Sequence, residues 1–237
     1  MKTLRMFVMA FVAILTTVSL ASCSKDENPE KTEEGVVNNE KKIATFSQGG
    51  YSYSFKYDDK GRMIEAGFRG SVCSFVWKEN VIKVITADSE TYDVMIDNGL
   101  IQSDYHWDTF IYDNNNRLLL TGDSDGNRIR YTWNEDKLVS ISEDDDYKYE
   151  IIYDGKCKKG YFPFLGTIVG DYEMLAFVHP ELQGWRTQQL PSKVTAYYKG
   201  KVDYSSTFTY EFDNDGYISK ITQNEDGDIY AFALTWK

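Results

Sequence analysis

Apolar and polar residues alternate along most of the chain after Lys42, with the period of two that β-strands require. Residues 51–57 alternate tyrosine or phenylalanine with serine or lysine, and the same spacing recurs at 147–153 and 208–212. This alternation places one side of each strand against a core and the other toward water. Tyrosine (18) and phenylalanine (13) are frequent, and aromatic side chains suit such a half-buried pleated surface.

Short turns rich in Asp, Asn and Gly separate the alternating segments. Examples are DDKG at 58–61, DNNN at 113–116 and DNDG at 213–216. These residues tolerate positive φ or close their own turns, which is what tight hairpins require. The pattern predicts an all-β fold, an antiparallel meander that forms an open, strongly curved sheet or partial barrel.

Two ten-residue segments have similar sequences, YDDKGRMIEA from Tyr57 and YDNNNRLLLT from Tyr112. Each copy reads as strand, Asx turn, strand, loop and a strand that ends in Trp. A third, degenerate copy near the C-terminus carries Tyr217 where the others carry arginine, which leaves the register of the last strands open. Such units must pair with neighbours to bury their faces, so a structural role is favoured over a binding role. The repeat residues are Tyr57, Asp58, Arg62 and Trp77, then Tyr112, Asp113, Arg117 and Trp133, then Phe212, Asp213 and Trp236.

Residues 161–194 break this rhythm, because they are apolar without alternation. Asp171 could cap a short helix that ends at Pro180. We therefore predict one short helix or irregular insert near 161–190 that plugs or caps the curved sheet.

The first residues have the pattern of a bacterial lipoprotein signal. A basic start and an apolar run lead to Leu20-Ala21-Ser22-Cys23, which resembles a lipobox, and the apolar run is too short to span a bilayer. The interpretation is a signal peptide at 1–22, a lipidated, disordered acidic tether at 23–42, and a single β-rich domain at 43–237. An acidic triplet after Cys23 is similar to an export signal for the cell surface, so we expect an outer-membrane lipoprotein exposed on the surface.

The charge of the chain limits its partners. The full chain carries −11, and removing residues 1–22 takes away only Lys2 and Arg5, which leaves −13. Such a surface repels nucleic acid and anionic headgroups, so we expect no nucleic-acid partner and membrane attachment only through lipid at Cys23. Cys73 and Cys157 are expected to be buried free thiols, although a disulfide between them is open.

The hairpin units, the Pro163-Phe164 pair and the segment Leu190–Val194 resemble a family of surface lipoproteins catalogued as a domain of unknown function with a porin-like fold. The hairpin unit is also similar to the tyrosine–aspartate repeats of secreted bacterial repeat proteins. The resemblance covers about residues 45–237 and implies an open, curved antiparallel sheet or partial barrel. The family has no established activity, so it implies no catalytic residue.

Catalytic signatures are sparse. The chain has two histidines, His106 and His179, and no zinc, nucleotide or nucleophile-elbow motif, so no cofactor and no metal are expected. His106 and Asp108 would share a strand face, with a solvent-side histidine as the favoured interpretation. The acidic turns 123–127 and 213–216 are better explained by turn formation than by calcium.

Aromatic residues outside the repeats are the remaining lead to function. Trp107, Trp185 and Tyr217 are expected in loops or at unit ends, where they could stack on sugar rings, although packing of the concave face is also open. The favoured hypothesis is a non-enzymatic module that binds an extracellular glycan or protein. The alternatives are a carbohydrate hydrolase that uses two carboxyls, and a carrier of an apolar ligand.

Overall fold

The structure, a computed structural model, describes residues 40–144, 146–163, 173–184 and 188–237. Sixteen strands form one antiparallel sheet that is nearly closed into a barrel, which confirms the predicted all-β meander. The strands are β1 (Ile43–Gln48), β2 (Tyr51–Tyr57), β3 (Met63–Phe68), β4 (Ser71–Trp77), β5 (Val81–Ile85), β6 (Thr91–Asp97), β7 (Leu100–Ser103), β8 (Thr109–Tyr112), β9 (Leu118–Gly122), β10 (Arg128–Asn134), β11 (Lys137–Glu143), β12 (Tyr147–Lys156), β13 (Gln189–Tyr198), β14 (Lys201–Phe212), β15 (Ile218–Glu225) and β16 (Asp228–Trp236).

The sheet is closed by its first and last strands and is open in the middle of the chain. Every strand except β7 pairs with the next along the sequence, and β1 also pairs with β16. β7 and β8 do not pair with each other and are the two edge strands. Lys42 and Lys237 exchange two backbone hydrogen bonds of 2.8 and 2.9 Å beside the β1–β16 pair. The seam between β7 and β8 is bridged by the Tyr112 hydroxyl, which donates to the Ile101 carbonyl at 2.7 Å.

Because the strands alternate in direction, their turns fall at two rims. The terminal rim carries Glu40, Lys237 and every connection that follows an even-numbered strand, including the long one between β12 and β13. The distal rim carries the turns that follow odd-numbered strands. The two rims have different compositions, which decides where a ligand could bind.

The inner face of the sheet is apolar. Strand residues with alternating burial, such as Phe55, Phe75, Ile141 and Phe232, point inward and form one continuous core cluster. Large aromatic and β-branched side chains fill the space that the curvature encloses, because each strand buries only one of its faces.

The connection between β12 and β13 packs against the terminal rim and supplies the described helices. Helix α1 (Glu173–Val178) ends before Pro180, as predicted, and a 3-10 helix (Pro180–Gln183) follows. The proposed cap Asp171 lies outside the described residues. The Phe177 ring contacts Phe46 and Phe55 at centroid distances of 4.9 and 5.9 Å. This connection is called the insert below. None of the helices in the described part of the chain is long and apolar enough to cross a bilayer.

Candidate functional site

The tryptophans of the repeat join adjacent strands at the terminal rim. The indole N–H of Trp77 donates to the Met63 carbonyl at 2.7 Å, and Met63 is fully buried. Trp133 makes the same bond to Leu118 at 2.9 Å, and Trp236 makes it to Ile218 at 2.7 Å. In each case the acceptor is the first residue of a strand, so the indole satisfies a carbonyl where the strand begins.

The aspartates of the repeat close the turns from within. The Asp58 carboxylate accepts the backbone N–H groups of Lys60 and Arg62 at 3.0 and 2.9 Å and pairs with the Arg62 guanidinium. Asp113 does the same with Asn115 and Arg117. Burial alone would raise the pKa of both carboxyls, but these hydrogen bonds and the arginine hold it below its usual range. Both carboxylates are therefore occupied by their own turns.

The third copy keeps its register although it lacks the arginine. Phe212 pairs with Ile218 across a bulge, as Tyr57 pairs with Met63 and Tyr112 with Leu118. The Tyr217 ring lies against Trp236 at 5.1 Å, where the other copies place a guanidinium over the indole. In the third copy, the aromatic ring of Tyr217 therefore takes the place that an arginine guanidinium has against the tryptophan in the other two copies.

The aromatic residues expected to stack on a ligand lie far apart in the structure. Tyr217 is only 4% exposed and accepts the Lys41 backbone N–H at the terminal rim, so the expectation of an exposed ring is wrong for it. Trp107 lies half-buried in the β7–β8 loop at the distal rim. Trp185 lies outside the described residues. Tyr217 and Trp107 are on opposite rims, so they do not share one platform.

His179 joins the insert to β3, a contact that the sequence does not predict. Its ring is 3% exposed, its Nε2 accepts the Met63 backbone N–H at 2.9 Å, and its Nδ1 lies 2.8 Å from the Glu181 carboxylate. Both ring nitrogens are therefore engaged, and the histidine fastens the insert to β3. A general base needs a free nitrogen at the substrate, which this arrangement does not offer.

His106 and Asp108 were expected to share a strand face, and this prediction is wrong. Both residues lie in the loop at 104–108. Asp104 organises this loop by accepting the backbone N–H groups of His106 and Trp107, both at 2.8 Å. Burial raises the pKa of Asp104 despite these bonds.

The cysteines are buried, and hydrogen bonds within the acidic turn at 123–127 occupy its first carboxylate. Cys73 and Cys157 are buried and are not joined by a disulfide, as predicted, and burial raises the pKa of Cys157 to about 12. The Asp123 carboxylate accepts the backbone and side-chain N–H groups of Asn127. Among the described residues, no group of three or more His, Cys, Asp or Glu side chains is placed to hold a metal ion.

Half-buried tyrosines gather at the distal rim. Tyr53 stacks on Phe68 at 4.3 Å, and Tyr147 lies against Tyr198 at 4.8 Å. The Arg69 guanidinium lies 3.7 Å from the centroid of the 46% exposed Tyr51 ring. Ring faces at this rim are therefore accessible to polar and charged groups.

A polar network interrupts the apolar inner face close to this rim. The Ser206 hydroxyl lies 3.2 Å from the Glu225 carboxylate, and the Gln223 amide donates to both residues at 3.0 and 3.2 Å. Burial raises the pKa of Glu225, and the neighbouring Asp226 and Asp228 raise it further. On β14, Tyr204 lies two residues closer to the distal rim than Ser206. On β16, Tyr230 pairs with Gln223 of β15. These residues are called the distal patch: Tyr204, Ser206, Gln223, Glu225 and Tyr230.

Besides Asp104 and Glu225, the carboxyl of Glu143 has a raised pKa, through burial and the neighbouring Asp144. It lies on β11, four strand spacings from Glu225 on β15, or roughly 19 Å measured along the sheet. Glycosidases place their two carboxyls about 5–10 Å apart. The separation favours two independent carboxyls over a catalytic pair.

The distal rim has a larger net negative charge than the terminal rim, because few basic residues accompany its carboxylates. The basic residues there are Arg69, Arg128, Lys199 and Lys201. The acidic residues in or beside its turns are Asp88, Glu90, Asp104, Asp108, Asp123, Asp125, Glu143, Asp144, Asp146, Glu225, Asp226 and Asp228. At the terminal rim, by contrast, lysines and arginines accompany most of the carboxylates, so the molecule is electrostatically polar along the barrel axis.

Solved structures with the same architecture are known. A porin-like protein from Bacteroides uniformis ATCC 8492 has a TM-score of 0.60 and 11% sequence identity, with 83% of this chain and 95% of that chain covered. This chain has a porin-like fold. A porin-like protein from Bacteroides vulgatus ATCC 8482 has a TM-score of 0.57 and 11% identity, with 82% and 98% covered. No protein-family model matches the sequence, and no curated protein is similar to it. At this identity the porin-like fold is what the likeness shows.

Proposed function

We propose that this porin-like protein is a non-enzymatic binding module that takes an extracellular glycan at the distal patch. The supporting observation is the combination of two tyrosine rings with a hydrogen-bonded serine, glutamine and glutamate on the inner face of β14–β16. Sugars present apolar ring faces and a periphery of hydroxyls, so rings for stacking and fixed polar groups suit them. The apolar core cluster occupies the rest of the inner face, which favours binding at the rim over carriage of an apolar ligand inside.

The binding site is testable with two adjacent residues on opposite faces of β16. Tyr230 points inward and belongs to the distal patch, whereas Ile229 points outward and is 60% exposed. A glycan array with the purified protein identifies the ligand, and titration calorimetry then compares Tyr230→Ala with Ile229→Ala. We expect Tyr230→Ala to weaken binding at least tenfold, which corresponds to about 1.4 kcal/mol, and Ile229→Ala to leave it unchanged.

Two further variants define the polar part of the site. Glu225→Gln keeps the shape of the side chain but removes its charge, so it tests whether the carboxylate accepts sugar hydroxyls. Trp107→Ala tests whether the loop at 104–108 extends the site. An array without any bound glycan, or equal affinities for the two β16 variants, would disprove the proposed site.

The proposed placement of the protein is the outer surface of the cell, attached through lipid at Cys23. The sequence features that support it are the lipobox at 20–23 and the acidic tether. Because β1 starts at the terminal rim, such a tether would direct the distal rim away from the membrane. Mass spectrometry of the N-terminal peptide and protease treatment of intact cells test the lipid and the exposure. A Cys23→Ser variant that still fractionates with membranes would contradict the attachment.

A further inference from the structure

The outer face of the barrel carries an apolar belt beside the terminal rim. Its members lie one position from a buried, inward-facing residue near the rim end of their strands, and each is 37–57% exposed. We call this row the outer belt: Ile64 on β3, Val76 on β4, Met95 on β6, Ile111 on β8, Leu119 on β9 and Ile152 on β12.

The rest of the circumference is polar at the same height. On β14 and β15 the outward residues Glu211 and Lys220 form an ion pair of 2.6 Å. On β1 and β16 the hydroxyls of Thr45 and Thr235 are hydrogen-bonded at 2.7 Å. The apolar row therefore runs from β3 across the β7–β8 seam to β12, over ten of the sixteen strands, and has no member on the strands from β13 to β2.

The outer belt exposes a large apolar area in total. Its six side chains present roughly 500 Å² to solvent, as neighbours on β3–β4 and β8–β9 and singly on β6 and β12. A single row of side chains beside a rim is shallow, so it suits a partner that contacts the barrel at its end.

Two observations favour a lipid surface as this partner. The chain before Glu40 joins the barrel at the terminal rim, and the 17 residues at 23–39 limit the distance from Cys23 to that rim to about 60 Å even at full extension. An anchor at Cys23 therefore holds the outer belt close to the bilayer at a high effective concentration. The net negative charge is larger at the opposite rim, which has few basic residues, so repulsion by anionic headgroups would turn that rim away from the membrane.

We propose that the outer belt contacts the bilayer surface, so that the barrel stands on its terminal rim and holds the distal patch outward. This inference rests on the proposed attachment at Cys23. Side chains of this kind enter about 5–10 Å into the boundary between headgroups and acyl chains.

The test measures the depth of single positions in the lipidated chain. The protein is purified from membranes and reconstituted into phosphatidylethanolamine–phosphatidylglycerol vesicles that contain a doxyl-labelled lipid as quencher. Met95→Cys and Ile111→Cys carry a bimane label in the outer belt. Val202→Cys and Ile229→Cys are the matched controls, because both residues point outward and are 62% and 60% exposed but lie beside the distal rim. Cys73 and Cys157 are buried, so they do not compete for the label in the folded protein.

We expect the lipid quencher to reduce the fluorescence of the two belt labels at least twofold more than that of the two control labels. Equal quenching at all four positions, stronger quenching at the controls, or failure of the chain to associate with the vesicles would overturn the inference. Glycan binding by labelled Met95→Cys is measured in the same vesicles. Its loss with the quenching difference intact would count against the distal patch and not against the outer belt.

Discussion

Replacing Gly184 with alanine should detach the insert from the barrel. Gly184 ends the 3-10 helix with φ of +72°, and a Cβ at this position would lie 1.9 Å from the Asn116 carbonyl oxygen. Asn116 belongs to the turn between β8 and β9, next to the seam. The backbone of the insert therefore approaches this turn more closely than any side chain at residue 184 would allow.

Two effects destabilise the folded state of the Gly184→Ala variant. The left-handed conformation costs an alanine about 1–2 kcal/mol, and overpacking against a backbone carbonyl costs about 1–3 kcal/mol more. Gly200 provides the matched control, because its φ is +75° and a Cβ there would meet nothing within 4 Å. We therefore expect Gly200→Ala to lose only the first amount of unfolding free energy and Gly184→Ala to lose roughly 2–5 kcal/mol. At about 2–4 °C per kcal/mol for a domain of this size, the midpoint of thermal unfolding should fall by roughly 4–20 °C.

Urea unfolding of the two variants gives the free energies, provided that the m-values are unchanged. Hydrogen exchange of residues 175–183 detects an insert that detaches while the barrel stays folded. If the two alanine variants have the same unfolding free energy and the same exchange in the insert, the close approach of Gly184 to Asn116 does not contribute to stability and the reasoning fails.

Three further predictions follow from the repeat and the buried thiols. Trp77→Phe should cost about 1–2 kcal/mol in urea unfolding, because the buried Met63 carbonyl loses its donor while the ring is retained; a variant as stable as the wild type would refute this. The pKa of Asp113 is lowered in the folded state, so its stabilising effect is present above the unfolded pKa of about 3.9 and is lost as the pH falls below that value. The Asp113→Asn variant keeps an acceptor oxygen but does not titrate, so it should flatten the acid side of the pH–stability curve. An unchanged slope would contradict this role of Asp113. Cys157 should resist alkylation at pH 8 in the folded protein and react in denaturant, and rapid alkylation of the native thiol would show that its surroundings are open.

The hairpins of this fold are predictable because their determinants are local. The alternation in residues 51–57 and the Asx turn at Asp58 specify two strands and their connection without reference to the rest of the chain. The repeated phrase also predicts that Asp58 and Asp113 serve the same purpose, since the same residues recur at the same offsets. The structure gives both carboxylates the same partners.

Contacts between distant segments could not be predicted in this way. Nothing in the sequence near His179 indicates that Nε2 meets the Met63 backbone N–H, 116 residues away. The aromatic and polar residues of the distal patch come from three strands whose register depends on bulges, which leave no clear sequence signal. The burial of Tyr217 is not predictable for the same reason, because it comes from Trp236 and from the residues that precede β1.

The place where the sheet is open does not coincide with the ends of the polypeptide. Pairing of β1 with β16 joins segments almost a full domain length apart, and the entropy of closing so long a loop makes such contacts slow to form. A circular permutant that joins Lys237 to Glu40 by a short linker and begins at His106 would convert the barrel into a meander in which every strand pairs with its neighbour in sequence. Such a chain should refold faster than the natural order while unfolding at a similar rate, because the gain lies in the search for the native topology.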